Sequence, residues 1–145
     1  MNPLPLQLLL LEVGDGVYGV ESAAVREIVA GALVTRLPGA PAHIRGVMNL
    51  RGQLVTVLDL VQRLTGAPAP RTDGSTIVVQ SGERLLGLVV DDVRDVQTVD
   101  VTDAVRGDTI PLGEAAHGLI RGLGRLEDAI VILLDVDELV RQTLA

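Results

Sequence analysis

The sequence contains no cysteine, lysine, phenylalanine or tryptophan, and only one tyrosine and two histidines among its 145 residues. Without cysteine there is no disulfide framework and no thiolate metal site, and nothing speaks for an oxidising compartment. Without an aromatic surface there is no stacking platform for a cofactor or for bases. The formal net charge is -7. That balance argues against a phosphate-backbone partner, because nucleic-acid affinity rests on clustered basic side chains. All twelve basic residues are arginine, a usage that fits genomic base composition as readily as selection for forked, bidentate contacts. The N-terminal MNPLPLQLLLLEVGDG has an apolar run of only four leucines, no basic n-region and an early Glu12. It reads as neither signal peptide nor membrane span, so the expected location is the cytoplasm, with no direct membrane insertion.

What is present is a duplication. Shifting Ile44–Leu64 by 76 positions lands on Ile120–Val140 without a gap, with Ile44, Arg45, Gly46, Leu50, Val55, Leu58 and Asp59 matched identically. Upstream, a shift of 68 lays Tyr18-Gly19-Val20 on Leu86-Gly87-Leu88 and AVREI on DVRDV. Two copies of this length are a duplicated subdomain and not a solenoid. A chain of this size buries roughly 70% of its unfolded surface, whereas each half alone would have a marginal core, so the halves should lean on each other.

Within each copy, runs such as LVTVLD and IVILLD are short, β-branched and bounded by glycine or charge, the pattern of strands. RGQ and EDA supply hairpin turns, as do Gly14-Asp15-Gly16 and Ser81-Gly82-Glu83. Asp59 with Gln62, and Asp135 with Glu138, have capping-box spacing, so each copy should end in a helix whose Gln or Glu side chain reaches back to the cap. The Pro-rich Thr65–Gly74 stretch reads as the connector. These elements predict a mainly β fold of two small packed barrels with short helices, one at the C-terminus. Both faces of LVTVLD and LLGLVVDD are apolar, so one face fills a barrel and the other needs a cover, partly the second barrel and partly a partner in the groove between them.

The candidates for catalysis are thin. His43 and His117 have no Cys, His or carboxylate at ligand spacing. Asp91 and Asp92 are strand neighbours that point to opposite faces. Asp59 and Asp135 are explained by capping, and no nucleophile elbow or phosphate loop occurs. The NLRG turn stands out. Its counterpart carries Arg125, Glu127 and Asp128, so the fold does not require Arg-Gly there, and NLRG reads as serving a contact.

YGVESAAVREI, VTRLPGAPAHIRGVMNLRGQLVTVLDL, GLVVDDVRDV and LIRGLG with AIVILLDVDEL together resemble the CheW family, adaptors of bacterial chemotaxis arrays, over nearly the whole chain. The resemblance implies a single CheW-like domain of two five-stranded, SH3-like barrels, roughly 1–70 and roughly 71–145, with strand exchange between them allowed. It implies no catalytic activity, cofactor or metal. The implied partners are the regulatory domain of a CheA-type histidine kinase and the cytoplasmic tip of chemoreceptors, which would recruit the chain to membrane-associated arrays. Carried onto matching positions, the kinase-facing residues are Val25 and Glu27, with a second contact near Arg106 and Ile110. The receptor-facing residues are Gly46, Asn49, Leu50, Arg51, Ile77 and Val96. Thr56 departs from a common Pro, Ser22 and Ala23 from bulkier apolar residues, and Leu from a common Phe near the first strand. The alternatives are a CheW-like adaptor of a non-flagellar array, such as one for type IV pili, and a small-ligand-binding β-barrel.

Overall fold

The computed structural model describes residues 4–67, 75–103 and 118–144. The strands are β1 (Leu4–Val13), β2 (Gly16–Glu21), β3 (Val25–Ala30), β4 (Val34–Thr35), β5 (Ile44–Leu50), β6 (Gln53–Asp59), β7 (Ser75–Ser81), β8 (Arg84–Val89), β9 (Asp92–Asp103), β10 (Ile120–Leu126) and β11 (Ala129–Leu134). One helix follows the last strand of each copy, α1 (Leu60–Thr65) after β6 and α2 (Val136–Leu144) after β11. None of the described helices is long and apolar enough to cross a membrane.

The four expected hairpin turns are all present, at 14–15, 51–52, 82–83 and 127–128, with Gly14 and Gly82 at φ 57° and 61°. One closed barrel has the order β1-β2-β11-β10-β9, and the other sheet runs β3-β7-β8-β6-β5-β4. A boundary near residue 70 does not separate the two sheets. The first hairpin, β1–β2, sits among the strands of the second copy, and β7–β8 sits among those of the first. The two hairpins carry the same apolar alternation, so their sequences do not specify which copy they join.

The second sheet counts six strands where five were expected, and β9 explains why. That strand pairs β1 along most of its length and β10 at its end, closing the barrel by itself. In the other sheet the same task is divided: β3 pairs β7 and β4 pairs β5. Only residues 31–33 separate them, with Gly31 at φ 64° allowing the kink. Such a link spans at most about 14 Å, so the edges of this sheet also lie close together.

The core is layered in the way two-faced apolar strands require. Leu8, Leu10, Val99, Val101, Val131 and Leu133 fill the closed barrel. Met48, Val55, Val57, Val78 and Val89 fill the other. Leu9, Leu11 and Val13 from one sheet meet Leu58, Ile77, Val79, Leu86 and Leu88 from the other in a third cluster, which also takes in both helices. The run Leu8–Leu11 therefore alternates between a barrel interior and the seam. Each such leucine, fully buried, is worth about 1.5–3 kcal/mol.

The helix starts are half as expected. Asp59 Oδ1 accepts from the Gln62 N–H at 3.0 Å, and Asp135 Oδ1 from the Glu138 N–H at 3.0 Å. The reach-back is absent: Gln62 Nε2 donates to the Gly66 carbonyl, and Glu138 binds Arg141 and Gln142. The cap N–H groups are already taken, Asp59 N donating to the His43 carbonyl and Asp135 N to that of Leu119.

Candidate docking site

The β5–β6 hairpin tip is held by its own backbone chemistry. Arg51 and Gly52 have φ of 52° and 88°, the positive pair that suits a two-residue hairpin loop. Asn49 Oδ1 accepts from the Gly52 N–H at 2.8 Å and locks the turn. The Arg51 side chain is 78% exposed, yet its Nη1 lies 2.6 Å from Glu27 Oε1 on β3. A pair this exposed contributes about 0–1 kcal/mol to stability. Its importance is geometric, because it brings the residue expected at the receptor against the residue expected at the kinase.

The other expected site residues are scattered. Val25 is partly buried against the seam, and Leu50 packs against the interior of its barrel. Val96 is 50% exposed on β9, in the other sheet. Ile77 corrects the expectation of a groove contact: it is fully buried in the seam, because its alternating position on β7 faces the closed barrel. Gly46 is buried as well and is a close-approach glycine, since a Cβ there would lie 1.9 Å from the Thr35 carbonyl oxygen. Arg106 and Ile110 lie outside the described residues, as does His117. No group of three or more His, Asp or Glu side chains suited to a metal ion occurs among the described residues.

Sequence reading missed two exposed aliphatic residues, one on this hairpin and one on β3. Leu54 is 72% exposed directly across the hairpin from Asn49, and Ile28, next to Glu27, is 45% exposed. The duplication held the signal. Leu54 corresponds to Ile130 at the 76 shift and Ile28 to Val96 at the 68 shift, and all four are large, apolar and exposed. A shallow depression of about 360 Å³ lies elsewhere, lined by Ala42, His43, Gln62, Arg63 and Gln142. Burial, with the nearby Arg63 charge second, pulls the His43 imidazole below its ordinary pKa.

The arrangement offers exposed aliphatic side chains beside a guanidinium and a carboxylate, which is equipment for recognition. A family model described as a CheW-like domain matches residues 7–144. A probable chemotaxis protein CheW of Rhizobium etli is 32% identical across 99% of this chain and 92% of its own length. The chemotaxis protein CheW of Klebsiella aerogenes is also 32% identical, across 92% of this chain and 81% of its own. The crystal structure of the scaffolding protein TtCheW from Thermoanaerobacter tengcongensis superposes with a TM-score of 0.79 at 25% identity, covering 91% of this chain and 90% of that one.

Proposed function

The chain belongs to the CheW family, and from that membership we propose that it joins the regulatory domain of a CheA-type histidine kinase to the cytoplasmic tip of chemoreceptors. It is a coupling adaptor of chemotaxis signalling, and its chemistry is recognition, since the proteins of this family are scaffolding adaptors and not enzymes. Receptor binding would carry it to the membrane-associated array without any span of its own. The kinase regulatory domain would sit over β3, on Val25 and Glu27, and the receptor tip against the NLRG turn.

The observation that carries this reading is the exposure of Arg51 on a turn whose backbone does not need it. Glu127 occupies the equivalent place in the other copy at φ 55°, against 52° for Arg51. An arginine that the turn does not require, exposed beside Leu54, is a residue kept for contact. A ligand-holding barrel has less support, because side chains fill both barrel interiors.

The test compares the native chain with Arg51→Glu in three measurements: thermal melt, affinity for the kinase regulatory domain, and kinase activity in reconstituted receptor arrays. The expected result is a near-native melt, near-native kinase affinity and loss of receptor-dependent activity. Normal receptor control by the variant would remove the NLRG turn from the interface.

A further inference from the structure

Helix α2 ends the second copy, yet it lies against β7 and β8, which sit among the strands of the first. Its side chains Val136, Leu139 and Val140 are buried in the seam with Ile77, Val79, Leu86 and Leu88. Aliphatic burial is not directional, so it does not fix the helix along its axis. Polar contacts fix it at both ends. In the first turn Asp137 Oδ1 accepts from the Ser81 hydroxyl at 2.6 Å, and in the last turn the Leu144 carbonyl accepts from Arg84 Nη2 at 2.6 Å. The second contact satisfies a carbonyl that a helix end leaves without an internal partner, and it sets a cation at the negative end of the helix dipole.

Ser81 and Arg84 are register partners at the tip of the β7–β8 hairpin. The helix rises about 10 Å from Asp137 to Leu144, so a single hairpin tip grips both ends of α2, the long arginine reaching where the short serine cannot. The duplication shows that the fold does not demand this grip. At the 68 shift Val13 and Gly16 stand where Ser81 and Arg84 are, and at the 76 shift Val61 stands where Asp137 is. The polar clasp belongs to the second copy alone.

β3 stands at the end of its sheet, with β7 as its one ladder partner among the described residues. Val25 pairs with Val79 and Ile28 with Ile77, so the two seam side chains of β7 each stand opposite a β3 residue. We propose that α2 is a clasp whose hold on the β7–β8 hairpin keeps β3 in place, so that release of the C-terminal helix loosens that strand. On the reading that β3 carries the kinase contact, the clasp sets kinase affinity from residues outside that contact.

The test compares amide hydrogen exchange in the native chain and in Ser81→Ala/Arg84→Ala. Amides of α2, β7 and β3 should exchange about tenfold faster in the variant, with those of β10 and β11 unchanged. Glu83→Ala, at the same tip but outside the clasp, should leave the whole pattern native. Acceleration spread evenly over both sheets would make the clasp a general stabiliser and overturn the proposal, as would native exchange in β3. Affinity for the kinase regulatory domain is then measured for the clasp variant and for Glu27→Arg, and the clasp variant should bind about fivefold more weakly. Native affinity in the clasp variant beside weakened binding by Glu27→Arg would overturn the coupling. Native affinity in both would count against the placement of the kinase on β3, leaving the exchange result to decide the clasp.

Discussion

The two copies of the Ile-Arg-Gly hairpin share a backbone and divide its uses. Both contain a bulge at the Arg-Gly pair, where the register slips between Ile44 and Gly46 and between Ile120 and Gly122. Both end on an Asp that caps a helix. The bulge arginines then part ways. Arg45 turns inward and binds Asp59, whose side chain is 3% exposed, whereas Arg121 reaches across to Glu21 on the surface. At the tips, Arg51 and Glu127 hold the same left-handed conformation with opposite charge. Backbone geometry is what the duplication preserves; side-chain partners are what it leaves free.

The largest effect should come from the bulge glycines. A Cβ on Gly46 would lie 1.9 Å from the Thr35 carbonyl oxygen at a φ of 144°, and one on Gly122 2.7 Å from that of Thr102. Gly46→Ala combines a backbone clash with a conformation that disfavours L side chains and should cost about 3 kcal/mol or more. Gly122→Ala, with the clash alone, should cost about 1–3 kcal/mol. Denaturant melts of the two variants rank them, and a larger loss at Gly122 would break the comparison.

Next in size are the bulge arginines. Arg45 Nη2 lies 3.1 Å and Nε 3.3 Å from Asp59 Oδ2. Losing charged hydrogen bonds to a carboxylate this deep should make Arg45→Ala about 2 kcal/mol less stable. Arg121 and Glu21 are 47% and 36% exposed, so Arg121→Ala should cost no more than about 1 kcal/mol. Equal losses would mean that the Arg45 pair is as weak as a surface one.

These contrasts mark what the sequence could and could not reveal. The turns, the cap spacing and the two-faced strands were legible because each rests on local chemistry: a Gly at positive φ, an Asp before a helix, an alternation of Val and Leu. The exchange of first hairpins was not, because β1–β2 and β7–β8 present matching apolar faces to either copy. The groove position of Ile77 comes from the family resemblance alone, and alternation along β7 does not say which of its two apolar faces the neighbouring barrel covers. Leu54 and Ile28 escaped because a lone exposed aliphatic residue is unremarkable until its duplicate is seen to be exposed too.

A smaller effect on stability is expected at the first tip, where Arg51→Glu and Glu27→Arg each break the pair and should cost no more than about 1 kcal/mol. The double exchange keeps the pair and reverses its polarity. If Arg51 matters because it holds Glu27, the exchange should recover receptor-dependent kinase activity. If its charge meets a partner, the exchange should stay inactive while melting normally, and that second outcome is expected.

The smallest effect separates the helix caps by pH. Glu138 corresponds to Gln62 at the 76 shift. Hydrogen bonds from Arg141 first and Gln142 second hold the Glu138 carboxyl down, from an ordinary 4.5 to about 2. A carboxyl that is lower in the folded than in the unfolded chain adds stability above its unfolded value and loses it as protons fill the folded site. The contribution should therefore be complete above pH 4.5 and fade as the pH falls towards 2. The pair with Arg141 lies at the surface, so solvent screening keeps it small. Glu138→Gln makes the second cap resemble the first and should flatten that part of the profile. Melts of variant and native chain should differ slightly at neutral pH and converge near pH 2. A gap that persists to that pH would show that Glu138 acts through the packing of α2 and not through its charge.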